Sequence, residues 1–358
     1  MELFEGGENV ENFARSVIDW YDQGHRAFPW RETRDPYRIW ISEIMLQQTR
    51  AETVISYYNR FMDLFPDIRH LAQSDEQTLL KAWEGLGYYS RARNLRKCAQ
   101  LVLESYGGQL PDSYEALLAL PGIGPYTAGA VASIAFGRRC AAVDGNVLRV
   151  MARFRGIHED IRQPETVRVI RGMTEELLPD NGCDRFSNAM MELGACVCTP
   201  KHPKCHLCPV ARMCAAYCSG EQENLPVRSK DREKRVEKRD ILLLYSENRV
   251  FVMRQSGGLL QGLYTFPNLP GWSDAEAHMK GLQEKGIEAG YLGQAGEAKH
   301  VFTHIIWEMR IHEFTAVPGS FEEGIWANAD MLESLPMATA IQKARQIALA
   351  RIRPETAQ

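Results

Sequence analysis

From Glu11 to about Tyr217, apolar residues recur at three- and four-residue intervals, the period of helices buried along one face. Phe13–Val17–Ile18, Val54–Tyr57–Tyr58–Phe61 and Leu95–Leu101–Val102 all follow this spacing. Pro and Gly interrupt it at Pro29, Pro36, Pro66, Gly107–Gly108, Pro111 and Pro121, with Ser or Asp nearby to cap the next helix. Between Ser219 and Asp240 charges crowd and apolar residues thin out, which predicts a linker. Beyond it, apolar residues alternate or form short runs at Ile241–Tyr245, Val250–Met253, His300–Phe302 and Ile305–Phe314, and a helical stretch follows from Ala338 to Arg351. The pattern predicts a multidomain chain: an all-α domain over 1–218, a linker over 219–239 and a smaller α+β domain over 240–358.

Composition changes this picture little. With 358 residues the chain is long enough for about two cores. Hydrophobic residues at 45% and charged residues at 25% are ordinary for a globular protein. The start of the chain carries Glu2, Glu5 and Glu8 rather than a basic and apolar leader, and the weakly polar stretch Ala128–Phe136 falls well short of the roughly 20 residues that span a membrane. A cytoplasmic monomer, not membrane-bound, is expected.

The net charge of −4 gives no global sign of a nucleic-acid partner, but basic residues cluster locally at Arg91, Arg93, Arg96 and Lys97, at Arg138–Arg139 and at Arg149, Arg153 and Arg155. Either a phosphate-binding patch or a solvated helix face fits that pattern.

Nine cysteines in a chain read as cytoplasmic point to metal or redox chemistry rather than disulfides. Cys98 and Cys140, among apolar or small neighbours, read as packing thiols. Cys198, Cys205, Cys208 and Cys214 are separated by six, two and five residues, in a segment where Pro200, Pro203 and Pro209 favour a wrapped loop. Four thiolates so close together can enclose one metal centre. A tetrahedral zinc site usually has two Cys-x-x-Cys knuckles and this segment has one, so a 4Fe–4S cluster is the better match.

That cysteine spacing is similar to the cluster loop of the endonuclease III and MutY superfamily of DNA glycosylases. Other segments carry the same resemblance. Leu120-Pro-Gly-Ile-Gly-Pro-Tyr-Thr127 resembles the superfamily's helix–hairpin–helix, with Gly122 and Gly124 freeing backbone N–H groups for DNA phosphates. Val143-Asp-Gly-Asn-Val-Leu-Arg149 resembles the segment that bears the catalytic aspartate, here Asp144 followed by Asn146. By itself Asp144 could simply cap a helix. Ile39 to Thr49 resembles the helix that carries MutY's catalytic glutamate, here Glu43. A glutamate among so many apolar residues is either exposed on one helix edge or held in a pocket, and burial would raise its pKa into the range a general acid needs.

The resemblance implies an all-α helix–hairpin–helix glycosylase domain with a 4Fe–4S loop and a C-terminal α+β Nudix-like domain. The implied activity is hydrolysis of the N-glycosidic bond of adenine mispaired with 8-oxoguanine or guanine in double-stranded DNA. Glu43 would act as general acid and base, and Asp144 would stabilise the oxocarbenium ion or trap it covalently. Endonuclease III has a nucleophilic lysine where this chain has Tyr126, so strong lyase activity is not expected; Tyr126 would instead hydrogen-bond near Asp144 or the sugar.

Arg31 in Phe28-Pro-Trp-Arg31 resembles the adenine-pocket segment, and Asn188 stands where the family usually has a longer Gln or Glu. Gln48, Leu86 and Tyr88 match positions that wedge into the duplex; for Leu86 taken alone, a buried core role is the better reading. Leu260 to Pro267 is similar to a Nudix strand, but the magnesium-binding glutamates of Nudix hydrolases are missing from this chain. Phe302-Thr303-His304 resembles the loop with which MutY senses 8-oxoguanine, with Thr303 in place of Ser. Two other readings fit fewer of these features: an endonuclease III-like glycosylase/lyase on oxidised pyrimidines, and a noncatalytic iron–sulfur DNA sensor.

Overall fold

Amphipathic helices build most of the first two-thirds of the chain. The computed structural model describes residues 7–230, 233–317 and 324–353. In chain order the helices are α1 (Gly7–Gly24), α2 (Pro36–Leu46), α3 (Ala51–Leu64), α4 (Ile68–Gln73), α5 (Glu76–Ala82), α6 (Ser90–Ser105), α7 (Tyr114–Leu118), α8 (Pro125–Ala130), α9 (Gly145–Arg155), α10 (Pro164–Glu176), α11 (Cys183–Cys196) and α12 (Ala215–Cys218). Among the described residues no helix is long and apolar enough to cross a membrane.

The chain divides into two compact units, and the division differs from the expected boundaries. The first comprises Met1–Gln73 and Asn94–Lys230; the second comprises Ser74–Arg93 and Asp231–Gln358. The segment 74–93, with α5, therefore belongs with the C-terminal part of the chain.

In the first unit the core forms where α1, α9 and α11 meet. Phe13, Val17 and Tyr21 of α1 pack with Val150, Met151 and Phe154 of α9 and Phe186, Met190 and Leu193 of α11. The Phe13 ring lies 4.4 Å from Phe154 and 6.3 Å from Phe186. Truncating such a fully buried ring costs about 3–5 kcal/mol. Helix α9 starts with Asp144 as N-cap and ends at Gly156, whose φ of 67° is the left-handed stop that favours glycine.

In the second unit, the strands are β1 (Arg235–Ser246), β2 (Arg249–Arg254), β3 (Tyr264–Thr265), β4 (Asn268–Pro270), β5 (Ala289–Val301), β6 (Ile305–Ala316) and β7 (Gly324–Ala327). They form one mixed sheet in the order β3-β2-β1-β6-β5, with β4 on β1 and β7 on β2. Strands β1 and β6 run parallel from Arg235↔Ile305 to Tyr245↔Thr315, and β5 and β6 form an antiparallel hairpin. Leu242, Leu244, Phe251 and Phe314 fill the core with Leu282 of α13 (Ala275–Glu284), and α14 (Ala329–Ser334) and α15 (Gln342–Ile352) complete the unit.

The expected linker is shorter than its charge suggests. Residues 235–239 are already strand, where Arg235 and Arg239 pair with Glu237 between them. Upstream, Leu225 is buried and its carbonyl accepts from Arg153 Nε at 2.7 Å, while Ile161 N donates to Val227 O at 3.1 Å.

Candidate functional site

The C-terminal end of α2 and the N-terminal ends of α8 and α9 meet at a cavity of about 650 Å³. Arg31, Glu43, Gln48, Tyr126, Asp144, Asn146 and Asn188 all line it, so seven residues singled out from separate stretches of sequence share one site. Helix α2 opens with Pro36 at N1 and with Asp35 accepting from Tyr37 N at 2.8 Å, and nearly every residue after that is buried. This resolves the position of Glu43: it is 4% exposed, in a pocket rather than on a helix edge.

Burial is the main effect pushing the Glu43 carboxyl up to about 7. The nearby Asp144 charge adds to it, while the Tyr126 hydroxyl and Arg31 pull the other way. The Tyr126 hydroxyl donates to Glu43 Oε2 and lies 3.3 Å from Met191 Sδ. Its hydrogen bond goes to Glu43, in the cavity that Asp144 also lines. Burial, with Glu43 beside it, keeps the phenol far above its usual pKa.

Asp144 is both helix cap and cavity wall. Its Oδ1 accepts from Asn146 N at 2.9 Å and Val147 N at 2.8 Å, and its Oδ2 accepts from Asn146 Nδ2 at 2.7 Å. Burial raises the carboxyl's pKa, and these N–H donors and Arg149 oppose that rise. An anion fixed in this way can face a positive charge developing in the cavity.

Arg31 is held rigidly. It donates to Arg26 O and to Glu192 Oε2, both at 2.8 Å, and its guanidinium lies 4.9 Å from the Phe28 ring. Burial alone would raise the Glu192 carboxyl, but hydrogen bonds from Arg26 and Arg31 outweigh it and hold the group at about 2. Neither Glu192 nor Arg26 was singled out from sequence, yet both line the cavity. The available signal was a lone acid in the apolar run Met190 to Leu193. Asn188 donates to Asp184 O at 3.0 Å, one turn back on its own helix. Gln48 follows α2 with a φ of 59°.

The four cysteines line one hollow together with Val150, Phe154 and Leu193. Arg153 Nη1 donates to Cys198 Sγ at 3.3 Å and to Thr199 O at 2.7 Å, an arrangement suited to a thiolate. Burial pushes the Cys208 thiol up to about 12, so in that hollow it loses its proton only when a strong positive partner such as a metal binds the sulfur in the proton's place. These residues fit an iron–sulfur cluster.

Arg149 ties the loop to the cavity, donating to Cys198 O at 2.7 Å, Gly194 O at 2.7 Å and Asn146 Oδ1 at 2.9 Å. Both arginines are buried, which corrects the reading of this stretch as a solvated or phosphate-facing patch. Arg91 is also engaged, donating to Leu86 O at 3.0 Å. Cys98 is buried as expected; Cys140 is only half-buried.

In the hairpin between α7 and α8, Gly122 has a φ of 77°, and an added Cβ would lie 2.6 Å from Asn94 Cβ. Gly124 has an ordinary φ of −92°, and a Cβ there would meet nothing within 4 Å, so it leaves open space at the start of α8.

The remaining expected site residues all lie in the second unit. Leu86 is 6% exposed and sits in the core, whereas Tyr88, at φ 48°, is 45% exposed. Only Tyr88 of this pair presents a side chain to solvent. Its hydroxyl shares a hydrogen bond with Thr303 Oγ1 in the β5–β6 turn. Phe302 packs edge-on to His300 and Trp307, and His304 O accepts from Arg235 N at 3.1 Å.

Residues 41–175 match the model of the HhH-GPD superfamily of base excision DNA repair proteins. Residues 198–214 match the iron-sulfur binding domain of endonuclease III, and residues 241–346 match the NUDIX domain. Fold and site therefore define a helix–hairpin–helix DNA glycosylase of base-excision repair, an enzyme that cleaves N-glycosyl bonds in double-stranded DNA. It carries a 4Fe–4S cluster and a Nudix-like second unit.

The adenine DNA glycosylase of Homo sapiens is 32% identical over 408 residues, which cover 95% of this chain and 74% of the relative. The adenine DNA glycosylase of Buchnera aphidicola subsp. Baizongia pistaciae is 31% identical, covering 92% of this chain and 95% of the relative. A solved thermostable thymine-DNA glycosylase is 32% identical with a TM-score of 0.55, covering 59% of this chain and 98% of that one. The chain belongs to the adenine DNA glycosylase family.

Proposed function

We propose that this enzyme is a monofunctional glycosylase, acting as a monomer, that removes adenine mispaired with 8-oxoguanine or guanine. The observation that carries the reading is the buried Glu43 carboxyl, held by Tyr126 and raised to about 7, in the same cavity as the capped Asp144. Flipped into the cavity, adenine takes the Glu43 proton at N7. The C1′–N9 bond then breaks with its electron pair leaving on the base, and positive charge develops on the sugar. Asp144, oriented by Asn146, stabilises that charge or bonds to C1′. Water finally attacks C1′ and gives its proton back to Glu43, now a carboxylate. Tyr126 orients Glu43 and cannot form the Schiff base a lyase needs. Arg31 and Asn188 contact the base from the cavity wall, and Gln48 wedges into the duplex.

Tyr88 holds the duplex open, and Phe302, Thr303 and His304 sense the 8-oxoguanine left in the helix. Backbone N–H groups at Gly122 and Gly124 take DNA phosphates. Cys198, Cys205, Cys208 and Cys214 hold the cluster, which when bound fixes the loop that Arg149 and Arg153 grip.

The test is chromatography of bases released from duplexes that carry adenine opposite 8-oxoguanine, guanine, cytosine or thymine, with an oxidised-pyrimidine duplex alongside. Free adenine from the first two is expected. Release of the oxidised pyrimidine alone would replace this reading with an endonuclease III-like one.

A further inference from the structure

Residues 74–93 sit between helices of the first unit in sequence but belong to the second in space. Their attachment is built rather than incidental. Glu84 accepts from Lys81 Nζ and from Arg345 Nη1 of α15, each at 2.6 Å, and the Arg345 side chain is only 7% exposed. Both cations go on to the C-terminal carbonyls of α14. Arg345 Nη2 donates to Leu332 O and Glu333 O at 2.8 Å, and Lys81 donates to Glu333 O at 2.6 Å, satisfying groups a helix end leaves unpaired.

Two more bonds fasten the rest of the segment: Arg254 Nη2 to Glu76 Oε2 at 2.8 Å, and Arg93 Nη1 to Gln261 O at 2.7 Å. Leu79, Leu80 and Trp83 are buried, and Gly262 approaches so closely that an added Cβ would lie 3.0 Å from Leu80 Cδ1. The turn that follows is also fixed: Trp83 Nε1 donates to Gly87 O at 3.1 Å, and the Arg91 guanidinium lies over the Trp83 and Tyr88 rings. At its tip Tyr88 meets Thr303.

We propose that this segment is an arm of the C-terminal unit, and that the Lys81–Glu84–Arg345 latch sets where Tyr88 meets Thr303. Arg345 is then a positioning residue for selecting the base opposite the excised adenine. The inference rests on the reading above that Tyr88 opens the duplex and Phe302–His304 sense 8-oxoguanine. Duplex opening and lesion sensing become a single mechanical element, so a residue that touches no DNA governs selectivity through it.

The experiment uses the full-length, cluster-loaded enzyme and compares excision rates below saturation for adenine opposite 8-oxoguanine and opposite guanine. Arg345→Met and the isosteric Glu84→Gln should each lower that preference about tenfold, the scale of a small misplacement. Arg345→Lys should recover most of the preference. Arg345→Met combined with Thr303→Ala should be no less selective than Thr303→Ala alone, because both act through one contact.

If Thr303→Ala loses the preference while Arg345→Met and Glu84→Gln keep it, the latch is overturned and the sensing reading stands. An equal loss on both duplexes, or additive effects in the double variant, assigns Arg345 a merely structural role and also overturns the proposal. A wild-type enzyme without the preference would remove the sensing reading and the latch together.

Discussion

Replacing Glu43 with Gln should change how stability depends on pH, by an amount the burial of this carboxyl sets. Its ordinary pKa of 4.5 rises to about 7 in the folded protein. A folded pKa above the unfolded one means the native state holds the proton more tightly. The stabilisation is fully present below the unfolded pKa and is lost as pH rises through the folded one. Linkage with these two values takes about 2 kcal/mol from the wild type between about pH 5.5 and pH 8. Gln carries no such proton and can still accept from Tyr126, so the variant should not show this loss. Paired chemical denaturation curves across that range would measure the difference, with wild type gaining on the variant toward low pH.

The same proton drives the chemistry. The wild-type single-turnover rate should therefore fall above about pH 7, and Glu43→Gln should bind mismatched duplex but lose excision. A stability difference that stays flat with pH would mean Glu43 is not held as a neutral acid. Residual excision within about tenfold of wild type, a barrier change of only about 1.4 kcal/mol, would remove it from the general-acid role.

Glu192→Gln leaves the Arg31 guanidinium buried without its counter-charge. It should cost about 3 kcal/mol in denaturation, and the loss should not vary across neutral pH because this carboxyl sits at about 2. A pH-dependent loss would contradict the ion-pair account. Gly194→Ala places a Cβ 2.6 Å from Asn146 Cβ, so it should destabilise the fold by about 2 kcal/mol and slow excision by shifting Asn146 off Asp144; an unchanged rate would detach Asn146 from that role. Cys208→Ser should lower iron content and visible absorption and weaken duplex binding. Full iron content in that variant would remove Cys208 from the ligand set.

How much of the site could be read from sequence depends on how local its geometry is. The four cysteines, the Gly122–Gly124 turn and the Asp144 cap each lie within a short stretch of chain, so the residues themselves suggested a metal loop, a turn and a cap, and the family resemblance supplied the DNA-binding and catalytic roles. Glu43 was recognisable as a candidate but its burial was not, because α2 is apolar on every side and periodicity cannot then say which side meets a cavity. Arg149 and Arg153 looked like a basic patch because a charge count carries no direction; both turn inward to carbonyls of the cluster loop. The arm at 74–93 was hidden for another reason. Helix α5 looks like its neighbours, and the polar partners of the arm as a whole, Arg254, Gln261 and Arg345, lie far downstream. The alternation of Arg235, Glu237 and Arg239 was a strand signal that overall charge density obscured.

The most direct test of the account is strand cleavage at the adenine of a duplex carrying one 8-oxoguanine–adenine pair, with and without alkali after incubation. The account predicts cleavage that depends on alkali, with almost none before it. Cleavage without alkali would contradict the monofunctional mechanism built on Tyr126, Glu43 and Asp144, and tight binding with no cleavage under either condition would contradict excision itself.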